Sequence, residues 1–271
     1  MPYLRPPGEA VIHFADVDFG VPGRARPRPV VLLHGLGCTL SIWNPVLAHL
    51  AADRRVVIPD LRGSGRSTPA RLAGADGAGW TIADTAYDVS LLVDHLELGV
   101  VDVVGLSMGG TVALQLALDR PDSVGRLVTI GSFAGLPTAI RPQLDEEVAR
   151  VSSETMRETA QRRMDVAFTP HADPVVKRWV VDMIAATDKH DYEAQIAATF
   201  GFNVKARLRE VAATTTVVAG ALDRTVPWTV SEEIAEGIAG SAFVLLNDDG
   251  HFVHLESTET FLAVLDDALA R

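Results

Sequence analysis

Gly105-Leu106-Ser107-Met108-Gly109 reads G-x-S-x-G, and its surroundings decide the fold. The apolar run Val100-Val101-Asp102-Val103-Val104 precedes it, and an apolar-periodic stretch over 111–118 follows. Strand, sharp turn and helix are the context in which this pattern lifts a serine hydroxyl above a sheet. The glycines let the chain turn without Cβ clashes, and the serine takes a strained backbone conformation. A neutral serine hydroxyl is a weak nucleophile, so the motif predicts a base and an orienting acid elsewhere in the chain.

Outward from the motif, Val30-Val31-Leu32-Leu33 is wholly apolar and suits a strand buried on both faces. Residues 55–58, 126–130, 215–219 and 243–246 read as further strands, and 10–14 alternates weakly, as an edge strand would. Helical periodicity begins at Ser41 and runs through Leu50, and it returns over 82–98 and 258–270. Short apolar strands alternating with helices predict an α/β fold, a mostly parallel sheet with helices on both faces. Between Ser132 and Ala213 the rhythm breaks: helices are expected over 145–164, 174–186 and 191–208, with no strand. This predicts a helical cap over 135–207, inserted into a core of 1–134 and 208–271 at the carboxyl edge of the sheet, where such folds bind ligands. Segments 21–29 and 71–79 read as loops, the second mobile.

At 271 residues the chain can bury a large core without staples. A net charge of −11 and the lack of a basic stripe argue against nucleic acid. No apolar stretch reaches 18 residues, so no membrane span is expected. The first eight residues hold three prolines and no apolar segment, unlike a secretory signal. One cysteine, Cys38, favours a reducing compartment and hence the cytoplasm. A homo-oligomer is compatible with all of this. No cofactor or metal is implied, because His171 and Asp173 lie close together but lack a third ligand.

The base should follow a late strand, and Gly250-His251-Phe252 does; His254 is the competitor. The acid should follow the strand before it, which selects Asp223 in Gly220-Ala221-Leu222-Asp223, with Asp248 and Asp249 as competitors. Asp223 also suits a turn aspartate capping the following helix. The expected catalytic residues are therefore Ser107, His251 and Asp223. An oxyanion hole needs two backbone amides, expected from Met108 after the nucleophile and from Leu36 in His34-Gly35-Leu36-Gly37-Cys38. His34 reads as an organiser of that loop. Trp43, Phe133, Leu136 and Phe252 are expected to line the substrate pocket, with Trp179 and Met183 closing it from the cap. Arg62, Arg141 and Arg178 are candidates to grip a carboxylate.

With these residues in order, the chain resembles the α/β-hydrolase superfamily, in its serine-nucleophile branch. The resemblance rests on His34-Gly35-Leu36-Gly37, on the segment from Asp60 to Ser67, on Gly105 to Gly110, on Gly220-Ala221-Leu222-Asp223 and on Gly250-His251. It implies an eight-stranded sheet with a helical lid. The segments from Gly37 to Trp43, from Met183 to Thr187 and Tyr192-Glu193-Ala194 look most like the 3-oxoadipate enol-lactonase and small-esterase group. The resemblance implies hydrolysis of a small, largely apolar carboxylic ester or lactone through an acyl-enzyme. Carbon–carbon bond hydrolysis, thioesterase or perhydrolase activity on the same residues, and a non-enzymatic binding module on the same scaffold, stand as alternatives.

Overall fold

The computed structural model describes residues 2–5, 11–19, 26–67, 79–136 and 141–270, with the backbone alone for 141–144. Most of the loops expected over 21–29 and 71–79 lies outside these residues.

Eight strands form one sheet in the order β1 (Tyr3–Leu4), β2 (Ile12–Val17), β4 (Val56–Pro59), β3 (Val30–Leu33), β5 (Val101–Leu106), β6 (Val124–Ile130), β7 (Thr214–Gly220) and β8 (Ala242–Leu246). β2 runs antiparallel to both its neighbours, and every pairing from β4 to β8 is parallel. β3, β4 and β5 are buried at every position, which accounts for their continuous apolar runs. The strand expected at the edge over 10–14 is β2, and it lies one place inside. The edge belongs to β1, whose two residues are too short to show a period.

Successive strand residues feed opposite faces. Val31 and Leu33 pack with helices α2 (Ile82–His95) and α3 (Met108–Asp119), while Val30 and Leu32 pack with α1 (Asn44–Ala51) and α10 (Thr258–Ala270). α3 is buried from Met108 through Leu118, so it is apolar all round and sits at the centre of the molecule.

Between β6 and β7 the chain inserts α4 (Arg141–Ser153), α5 (Met156–Ala167), α6 (Pro174–Ala185) and α7 (Lys189–Phe200), then a 3₁₀ turn, Lys205–Glu210. The single helix expected over 145–164 is two. Thr155 stops the first and caps the second, its Oγ1 accepting from Glu158 N while Glu158 accepts from Thr155 N. The helix expected over 191–208 starts earlier, under the Asp188 cap, and stops at Phe200 before Gly201. The one expected from Ser41 opens as a 3₁₀ turn, Leu40–Trp43. Helices α8 (Trp228–Gly237) and α9 (Val253–Glu256) follow β7 and β8 respectively.

Candidate active site

Ser107 is the one residue between the end of β5 and the start of α3. Its backbone sits at φ 53, ψ −117, a conformation that costs a β-carbon-bearing residue on the order of 1–3 kcal/mol. Neighbours hold it there. Its N–H donates to Ile130 O at 2.8 Å, and its carbonyl accepts from Gly110 N and Ser132 Oγ, both at 2.9 Å. A Cβ on Gly105 would lie 2.3 Å from Gly109 O, and one on Gly109 would lie 2.2 Å from Leu33 O. Both glycines therefore permit α3 to pass against β3 and β5, as well as easing the turn.

His251 and Asp223 come from the loops after β8 and β7, and both are buried. His251 Nδ1 meets Asp223 Oδ2 at 2.6 Å. The other carboxylate oxygen, Oδ1, accepts from Thr225 N at 2.7 Å and Val226 N at 2.9 Å. Asp223 thus caps its own turn and holds the imidazole at once. The main chain of His251 is pinned from the inserted helices, its N–H donating to Ala167 O at 2.8 Å. Glu256 fixes the same loop by accepting from Gly250 N and Thr169 N. Of the competing acids, Asp248 is exposed and Asp249 accepts from Ser257 Oγ at 2.6 Å; neither bonds His251. Burial drives the His254 imidazole down to about 3, so it stays neutral and is no base at ordinary pH. Ser107 Oγ makes no hydrogen bond among the described residues; Ser107 and His251 line one cavity. A serine–histidine bond of this kind commonly tightens only when substrate binds.

The loop carrying Leu36 is clamped on two sides. His34 Nε2 accepts from Leu61 N and its Nδ1–H donates to Gly35 O, both at 2.9 Å. Burial lowers the His34 pKa against the pull of Asp60, so the ring stays neutral, as that pair of bonds requires. From α7, Gln195 Oε1 accepts from Gly37 N at 2.9 Å, while its Nε2 donates to Gly63 O at 2.8 Å and Ser64 Oγ at 3.1 Å. Thr187 Oγ1 donates to Gly37 O, and Met183 Sδ accepts from Thr39 N at 3.3 Å. Met108 N lies in the first turn of α3, where amides lack intrahelical acceptors. Nothing in the sequence singles out Gln195, because one amide in a helix of mixed period carries no local signal.

A family model described as the alpha/beta hydrolase fold matches residues 28–258. The chain belongs to that family. It is 32% identical over 261 residues to a putative carbamate hydrolase RutD of Variovorax paradoxus, covering 94% of this chain and 96% of that one. It is 29% identical over 279 residues to a 2-hydroxy-6-oxononadienedioate/2-hydroxy-6-oxononatrienedioate hydrolase of Paraburkholderia xenovorans, covering 97% and 92%. The solved enol-lactonase from Burkholderia xenovorans superposes with a TM-score of 0.88 at 26% identity, over all of both chains. The eight-stranded, mostly parallel sheet is the fold of this hydrolase family.

The hydrolase has a cavity of about 310 Å³, lined by Leu36, Phe133, Leu136 and Phe252 together with Ser107 and His251. The volume lies at the small end of ligand pockets. Three residues expected in the pocket are elsewhere. Trp43 is wholly buried in the core, 4.9 Å from the His254 ring. Met183 holds Thr39, and Trp179 packs partly buried against the same core as Trp43. Apolar side chains fill core and pocket alike, so their type cannot separate the two. Arg62 is committed to a buried bidentate pair with Asp88, both bonds at 2.7 Å. Arg178 is exposed and off the cavity wall, and the Arg141 side chain lies outside the described residues. The charged wall is made instead by Glu147 on α4 and by Arg162 and Arg163 on α5, none of which the sequence distinguished from ordinary surface.

Cys38 also lines the cavity, and burial raises its thiol to about 12, so it does not compete as a nucleophile. Asp173 caps α6 through Val175 N at 2.7 Å. Among the described residues no group of three or more His, Cys, Asp or Glu could hold a metal ion, and no helix is long and apolar enough to cross a membrane.

Proposed function

We propose that this hydrolase cleaves a carboxylic ester or lactone of a small, largely apolar substrate through an acyl-enzyme on Ser107. Ser107 Oγ attacks the carbonyl carbon and its proton passes to His251 Nε2. Asp223 holds the Nδ1–H tautomer and stabilises the imidazolium. The Leu36 and Met108 amides donate to the oxyanion. As the intermediate collapses, the carbon–oxygen bond to the leaving group breaks and that oxygen takes the proton from Nε2. Water then attacks the acyl-enzyme, gives a proton to His251, and releases the carboxylic acid as Oγ recovers that proton.

The supporting observation is the 2.6 Å bond from Asp223 to His251, which lines the same cavity as the strained Ser107. The test is a panel of p-nitrophenyl esters, aryl esters and lactones run with wild type and Ser107→Ala. The variant should lose on the order of 10⁴–10⁶ in kcat. Wild-type rates from Ser107→Ala would overturn the reading.

A second reading, hydrolysis of a carbon–carbon bond in a vinylogous diketone by the same three side chains, draws support from the likeness to the Paraburkholderia hydrolase. A diketone that turns over faster than every ester and lactone in the panel would favour it. An aryl carbamate belongs in the panel for the same reason, given the putative carbamate hydrolase among the relatives.

A further inference from the structure

The inserted helices reach the base as well as the pocket. α5 ends at Ala167, whose carbonyl belongs to the last turn and has no intrahelical donor. His251 N fills it at 2.8 Å. The next residue, Phe168, stacks its ring on Phe252 at 4.8 Å and 14°. Phe252 in turn meets the His251 ring edge-on at 5.4 Å. The residue after that, Thr169, gives both its donors to one carboxylate oxygen: its N–H reaches Glu256 Oε2 at 2.9 Å and its Oγ1–H reaches the same atom at 2.6 Å. Three consecutive residues of the insertion thus grip the loop that carries the base. Ala167, His251 and Phe252 all line the cavity.

Glu256 joins the two sides of this grip. Its other oxygen, Oε1, accepts from Gly250 N at 3.1 Å, so one carboxylate ties the residue before the base to the insertion. The carboxylate does not serve its own helix: Glu256 N bonds Phe252 O, while the side chain reaches back six positions to Gly250 and 87 to Thr169. Both oxygens are spent on amide and hydroxyl donors, and Asp223 already holds His251 Nδ1, so Glu256 takes no proton in the reaction. The contact has no slack, since a Cβ on Gly250 would lie 2.6 Å from Ala167 O and 2.8 Å from Glu256 Oε1. The loop also has anchors on the core. Leu222 N donates to Asp249 O at 2.9 Å and Ser257 Oγ to Asp249 Oδ1 at 2.6 Å. Loss of Glu256 therefore loosens the loop without detaching it.

We propose that Glu256 is a positioning residue: by tying Gly250 to Thr169 it holds the main chain of His251 against the end of α5 and so aims Nε2 at Ser107. Asp223 sets the tautomer and one end of the imidazole, and the main chain on either side of His251 sets where the other end points. Resting on the reading of Ser107 as nucleophile, this makes the proton transfers depend on the seating of α5.

The experiment measures kcat, KM and melting temperature on p-nitrophenyl butyrate for wild type, Glu256→Ala, Glu256→Gln and Thr169→Val. Glu256→Ala should lower kcat about 10- to 100-fold, as a small misplacement of the base predicts. KM should stay within about twofold, because the pocket is intact. Glu256→Gln keeps one acceptor oxygen and should recover part of the loss. Thr169→Val keeps its shape and its N–H but drops the Oγ1 donor, and should lower kcat a few-fold. In the double variant Thr169→Val/Glu256→Ala the losses should not multiply, since both remove the same contact. Labelling of Ser107 by diethyl p-nitrophenyl phosphate should slow in step with kcat, because the same base activates the serine. If Glu256→Ala does not fold, Glu256→Gln and Thr169→Val decide. An unchanged kcat in the folded variants, losses that multiply, or a loss confined to KM or melting temperature overturns the positioning role. Ser107→Ala is run in parallel. An inert Ser107→Ala beside an unmoved kcat in Glu256→Ala removes the positioning role alone. An active Ser107→Ala, or a wild type inert toward both ester and phosphate, removes the reading beneath it.

Discussion

Asp223 divides its carboxylate between two tasks: Oδ2 meets His251 Nδ1 at 2.6 Å, and Oδ1 accepts the amides of Thr225 and Val226. The two tasks separate by substitution. Asp223→Asn keeps an oxygen for the turn amides but offers the imidazole the wrong partner, so kcat should fall about 10⁴-fold with little change in melting temperature. Asp223→Ala strands both amides and should also lose about 1–3 kcal/mol of stability. Urea unfolding beside steady-state kinetics checks both. A full-rate Asp223→Asn would move the acid to Asp249.

Ser107 sits at φ 53, ψ −117, a strained conformation for a residue with a β-carbon. Ser107→Gly should be more stable than Ser107→Ala by about 1 kcal/mol, because glycine relieves the positive φ while alanine keeps the Cβ. Both variants should be inactive. Equal unfolding midpoints would show that the turn is not strained.

Gln195 joins α7 to the loop of Leu36 and to the Gly63-Ser64 turn through three hydrogen bonds. Gln195→Ala should cost about 1–3 kcal/mol in stability. It should also lower kcat about 10- to 100-fold, by letting the Leu36 amide drift from its aim. The split between kcat and KM is the diagnostic. A lower melting temperature with kcat intact would make Gln195 structural only.

Two buried histidines set an acid limit. His254 is held neutral by burial down to about pH 3, and burial also lowers His34, whereas an unfolded imidazole takes its proton near 6.5. The unfolded state therefore binds more protons below that pH. That stability is complete above about 6.5 and falls as pH drops, by about 1.4 kcal/mol per unit for His254. His254→Phe retains an aromatic ring against Trp43 and Phe261 and should flatten the loss between pH 6.5 and 5. Urea midpoints across that range measure it; an unchanged slope would contradict the neutral burial of His254.

Features set by local chain geometry were legible beforehand. Continuous apolar runs marked β3, β4 and β5, and the order of strands and loops pointed to Ser107, Asp223 and His251. The Thr155 capping box broke one expected helix into two, and a two-residue β1 was too short to see.

The sequence by itself determined the alternating α/β order, the strained serine turn and which residues could answer it, because strand period, helix period and turn chemistry act over a few neighbouring residues. Only the tertiary structure decided that Trp43 is core and Arg163 is cavity wall, and that Gln195 reaches from an inserted helix to the loop of Leu36. Those outcomes depend on how α4–α7 seat against the sheet. That seating includes contacts far apart along the chain, such as Gln195 to Gly37 across 158 positions, which no window along the chain contains.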